Sequence, residues 1–176
     1  MSNQEAEGMI SDVFDIGEAR AKFAETLAGL KLVHGVGEAG DGTACTESAL
    51  QLALTGRLTD DLHPCVDPAV HRWVIRTQDR LDEATLNGPW KELAPRIVGT
   101  AGLPDRLGKI METMWDALAS LTFKDAEANA AWQKMLELRT KEACLTARQA
   151  VSCRLSLTKL DFDAWAVRSL EAITAP

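Results

Sequence analysis

Apolar residues in this chain recur at steps of three and four nearly everywhere, and alternation of period two is hard to find. Such spacing lines one face of a helix and leaves no strand with a buried side, so it predicts an all-α fold. At 176 residues with 46% apolar side chains, the chain can bury one sizeable core. The expectation is a single compact, bundle-like domain of about six or seven helices over residues 15–176, with a loop-rich N-terminal half. Residues 1–14 are read as a loose polar arm.

Local signals place the helices. A first helix is expected over residues 18–30 through Phe23, Leu27 and Leu30, followed by a glycine-rich loop from His34 to Gly42. A second begins near Thr43 and ends at Gly56, which suits a left-handed cap. Asp67-Pro68 reads as N-cap plus first-turn proline for a third helix that buries Val70, Trp73, Val74, Thr77 and Leu81. Asn87-Gly88-Pro89 breaks that region before a short helix carrying Trp90 and Leu93. From Pro104 a helix presents Leu107, Ile110, Met111, Met114, Trp115, Leu118 and Leu121 as one continuous apolar stripe. Residues 125–155 give one long helix or two stacked ones, and Thr158-x-x-Asp161 resembles a capping box for the last helix. Five tryptophans and no tyrosine among these helices suggest core anchors, each needing an acceptor for its indole N–H.

The formal charge of −7 is uneven: residues 1–66 carry −7, residues 67–123 carry −1 and residues 124–176 carry +1. An acidic balance argues against general nucleic-acid binding and against docking on an anionic membrane. Nothing near the N-terminus reads as a signal or transit peptide, and no apolar run is long enough to cross a bilayer, so the expected location is cytoplasmic. In a reducing compartment the four cysteines are thiols or metal ligands.

Several residues could carry chemistry. Gly35, Gly37 and Gly40 match G-x-G-x-x-G, but no strand and helix alternation surrounds them and Glu38 and Asp41 put negative charge where a pyrophosphate would sit. A connector is the simpler reading. Cys45, in the first turn of the second helix, is a candidate nucleophile with His63 as its base, because exposed N–H groups there favour a thiolate. Glu47 points about 200° around the helix from it. Burial as a small apolar residue is the alternative for Cys45. Cys45, His63 and Cys65, with Glu47, have ligand types suited to zinc, although no C-x₂₋₄-C knuckle is present, and no cofactor is expected. Cys144 and Cys153 lie half a rotation out of phase on a single helix and read as packing residues. Arg72, Arg76 and Arg80 recur every fourth residue, a stripe that asks for acids such as Glu47, Asp60 or Asp61 across from it, for solvent, or for an anionic ligand.

Ala44-Cys45-Thr46-Glu47-Ser48, then Leu54-Thr55-Gly56-Arg57, a Pro and Cys before Trp73, and Leu93-Ala94-Pro95-Arg96-Ile97-Val98-Gly99-Thr100 together resemble an uncharacterised family of small bacterial and phage-borne proteins. The resemblance covers about residues 42–102 and implies a site drawn from Cys45, Glu47, Asp61, Cys65, Arg96 and Thr100. It implies no particular activity.

These readings converge on a helical binding or regulatory protein that recognises a protein or a small molecule through residues 34–66. Its candidate ligand-binding residues are Cys45, Glu47, Asp61, His63, Cys65, Arg72, Arg76, Arg96 and Thr100. Self-association into a homo-oligomer is compatible with this reading. The alternative is a thiol- or zinc-dependent enzyme centred on Cys45, with His63 and Cys65 as partners or co-ligands.

Overall fold

The structure, a computed structural model, describes residues 14–151 and 160–176. Asp15 caps α1 (Ile16–Ala28) by accepting from the backbone N–H groups of Gly17 and Glu18, which satisfies two of the donors a helix start leaves free. Ala19, Phe23 and Leu27 form its buried face.

A feature not expected from the spacing follows: β1 (Lys31–Leu32) pairs in parallel with β2 (Thr43–Ala44). Two residues are too few for period-two alternation to register in a sequence. This pairing moves the start of α2 (Thr46–Thr55) from residue 43 to residue 46 and makes Cys45 its N-cap. Gly56, at φ 74°, closes α2 in the left-handed conformation. Asn87 extends the small sheet by imitating a strand: its Oδ1 accepts from Leu32 N–H at 2.7 Å and its Nδ2 donates to Leu32 C=O at 2.9 Å.

α3 (Pro68–Gln78) starts where Asp67-Pro68 predicts, with Asp67 accepting from Ala69 and Val70 N–H, and its stripe of Val70, Trp73, Val74 and Thr77 is buried. Short turns continue through α4 (Glu83–Thr85), a wide turn at Leu86–Trp90 and α5 (Lys91–Leu93). The break at Asn87-Gly88-Pro89 is real, since Gly88 takes the non-helical angles φ −111°, ψ −112°. α6 (Arg106–Ala119) is capped by Asp105. Of the two forms expected for residues 125–155, the chain takes the stacked pair: α7 (Ala126–Leu138) and α8 (Lys141–Val151) are separated at Arg139, φ 51°. Asp161, accepting from Ala164 N–H, caps α9 (Phe162–Thr174). Thr158 of the expected capping box and Cys153 lie outside the described residues.

The all-α expectation is met, with that two-stranded pair as its only sheet among the described residues. The main core joins α1, α2, α3, the 86–98 turns, the first half of α6 and α9. A second cluster, which includes Phe123, Trp132, Met135, Ala143 and Ala147, lies under α7 and α8 and reaches the far end of α6 at Trp115 and Leu118 and the residue past its cap, Leu121. Trp90, Trp132 and Trp165 find acceptors in Thr46 Oγ1, Leu118 C=O and Thr113 C=O. Trp73 does not: its buried indole N–H is unpaired. No helix among the described residues is long and apolar enough to cross a membrane.

α6 does not turn its whole apolar stripe inward: Ile110 and Ala117 are buried, but Leu107, Met111 and Met114 are 61%, 41% and 40% exposed. The 107, 111, 114 row lies on a face that neither α3 nor α9 covers, and the row becomes one side of an open groove.

Candidate functional site

The residues singled out in the sequence fall into three places. The first is the start of α2. Cys45 is 2% exposed; its Sγ accepts from Ser48 N–H at 3.3 Å and lies 3.1 Å from Ser48 Oγ. One helix-terminal donor, Ser48 N–H, is thus taken up by the Cys45 sulfur itself, as an N-cap, and the side chain is packed away from solvent. The glycine loop behind it is closed on itself as well. Cys45 N–H donates to Val36 C=O, and Gly37, at φ 83°, packs so tightly that a Cβ there would lie 2.5 Å from Ala44 Cα. Gly37 thus serves a backbone contact within the loop.

The second place is a buried polar cluster between α2 and α3. Glu47 is 0% exposed, and its Oε2 lies 3.3 Å from His71 Nδ1. The approach is an ion pair rather than an aligned hydrogen bond: neither Glu47 oxygen nor His71 Nδ1 has a partner in good geometry. Burial pushes the Glu47 carboxyl above its usual range, partly countered by His71. The facing Glu47 carboxylate raises the His71 imidazole against the opposing effect of burial. Nearby, His63 Nδ1 stands 3.0 Å from Cys65 Sγ, and the Cys65 backbone N–H donates to the same nitrogen at 3.2 Å. Nδ1 is therefore an acceptor and the thiol donates to it. Burial raises the Cys65 thiol, with Glu47 adding to the effect, while burial lowers the His63 imidazole. Both shifts favour a neutral thiol beside a neutral imidazole, the reverse of an activated thiolate–imidazolium pair.

Thr100, fully buried, donates to Ile97 C=O and accepts from Asp67 N–H, so its hydroxyl fixes the start of α3. Asp61 is exposed and accepts from Thr59 Oγ1. Arg96 points elsewhere, 3.5 Å from Glu171 on α9. Among the described residues no three His, Cys, Asp or Glu side chains are grouped to hold a metal ion, and Cys45, His63 and Cys65 form no such set.

The third place is the groove between α3, α6 and α9, of about 380 Å³. Arg72, Arg76 and Arg80 form one side; Leu107, Met111 and Met114 form the other, with Trp73, Ile110, Phe162 and Trp165 beneath and beside them. The arginines are exposed, and among the described residues no carboxylate pairs with any of them. Of the acids looked for across the stripe, Glu47 faces His71 and Asp61 accepts from Thr59, and among the described residues Asp60 forms no ion pair with the arginines.

Sequence reasoning missed His71 and Gln78. Both fall on one face of α3 with Val74, at steps of three and four, and Gln78 Oε1 accepts from Thr46 N–H at 2.9 Å. A polar residue in phase with a buried stripe is the signal that could have found them. Compared with protein families, curated proteins and solved structures, the chain matches none.

Proposed function

We propose that this chain is a non-enzymatic helical binding protein that takes an apolar, negatively charged ligand or partner along the α3/α6/α9 groove. One observation carries the reading: three arginines that no carboxylate among the described residues pairs with run beside three large, exposed apolar side chains in a single concave surface. Guanidinium groups four residues apart repel mildly on a helix, and an anion laid across them removes that cost. Exposed Met and Leu gain free energy when an apolar partner displaces water, and thioether side chains repack around different shapes. Arginine and methionine are also residue types enriched where proteins bind one another.

Recognition remains the activity expected from the sequence, but its surface moves. Within residues 34–66, Cys45, Glu47 and Cys65 are spent on internal contacts, while Arg72 and Arg76 are exposed and no carboxylate among the described residues pairs with them.

The test is a titration with an anionic, apolar dye, anilinonaphthalene sulfonate. The wild-type protein binds it with one-to-one stoichiometry, and Arg76→Glu or Met111→Glu weakens binding about tenfold, the scale of one lost charge-assisted contact. Both positions are exposed, so thermal unfolding stays close to wild type. Binding that ignores both substitutions, or no binding, contradicts the groove as the recognition surface.

A further inference from the structure

We infer that the occupant of this groove is an acidic amphipathic helix of a partner protein, laid along α3; the inference rests on the groove reading above. Arg72 and Arg76 stand four residues apart on α3, and Arg80 follows in the turn just past its C-cap, Asp79. At 1.5 Å rise per residue the two helical cations stand about 6 Å apart along α3, and Arg80 continues the positive edge beyond the helix end. A partner helix with Asp or Glu every fourth residue presents carboxylates at the Arg72–Arg76 spacing, and a further carboxylate on the same rigid element lies towards Arg80. A fatty acid or other single-headed amphiphile meets one arginine and leaves two unneutralised.

A phosphodiester strand could follow the rail, but its bases need open aromatic faces, and the groove offers few. Trp73 is buried, Trp165 is half-buried with its indole N–H held by Thr113 C=O, and the exposed surface is Leu107, Met111 and Met114. Aliphatic and thioether side chains at steps of four and three along α6 instead make the wall against which an apolar helix stripe packs. The occupant is thus a helix with carboxylates along one edge of its apolar stripe.

The experiment uses the full chain and a synthetic sixteen-residue helical peptide bearing Glu at every fourth position beside a Leu stripe. Its controls are an isomer of the same composition with Glu scattered around the helix, a single-stranded oligothymidylate and oleate. Binding is read by calorimetry and by tryptophan fluorescence. The expected result is saturable one-to-one binding of the patterned peptide, at least tenfold tighter than its scattered isomer and weakened at least tenfold by Arg76→Glu. The protein carrying Arg72→Glu and Arg76→Glu should regain binding to a peptide with Lys in place of each Glu, a recovery that mere unfolding cannot produce. Equal binding of the scattered isomer overturns the inference. So does arginine-dependent binding of the oligonucleotide or oleate without the peptide, or a concentration-dependent dimer that Met111→Glu dissolves. If the dye binds and the peptide does not, the helix is the wrong occupant and the groove reading stands; if neither binds, that reading falls first.

Discussion

Glu47 and His71 show how one buried pair couples stability to proton concentration. Each has a folded-state pKa above its ordinary value, so each binds its proton more tightly in the fold than in the unfolded chain. For His71, the stabilisation is complete below the unfolded value of about 6.5 and is lost as pH rises through the higher folded value. Glu47 follows the same sign from its own, lower starting point. His63, with a lowered pKa, works oppositely in that range, so the clean observable is a difference. Between pH 6 and pH 9 the melting temperature of wild type should fall more steeply than that of His71→Gln; parallel profiles would show that the pair does not titrate with folding. Trp73 and Trp90 give a second contrast. Trp90→Phe breaks the bond to Thr46 Oγ1 and leaves a cavity, and should cost about 2 kcal/mol. Trp73→Phe removes a buried donor that has no acceptor, and chemical denaturation should find it milder by about 1 kcal/mol.

At the scale of elements, legibility depended on whether a signal was local. Asp67-Pro68 announced α3 to the residue, because the cap and the fixed proline φ act within one turn. The β1–β2 pair was illegible, since its strands are two residues long and their partners are twelve apart. The α7–α8 break was half legible: it is made by Arg139 in a left-handed conformation that glycine or asparagine would have advertised. Gly37 was visible as a glycine but not for its reason. Gly37→Ala should destabilise by more than 1 kcal/mol, because φ 83° and the Ala44 backbone both refuse a Cβ. Gly40→Ala, where a Cβ meets open space, should be nearly neutral, and paired thermal melts of the two variants distinguish a packed loop from a phosphate cradle that needs both.

Across the whole molecule, the acidic first third drew the functional reading to residues 34–66, and our proposal moves it to the α3/α6/α9 groove. Glu47, Cys45 and Cys65 are chemically suggestive as letters, yet burial turns them into internal contacts, which only tertiary neighbours decide. The Leu107, Met111 and Met114 row was legible as an apolar face, but whether another helix covers it depends on where α3 and α9 stop. The surface charge is locally reversed as well: a chain of net charge −7 presents three adjacent arginines at its groove. The central claim is that this groove, and not the 34–66 segment, receives the ligand. Methyl NMR with labelled methionines, read together with the His63 imidazole signals while anilinonaphthalene sulfonate is added, tests it most directly. The account predicts saturable shifts of the Met111 and Met114 methyls, with Met135 in the second cluster and His63 unmoved. Shifts confined to His63, with both groove methionines silent, would contradict it.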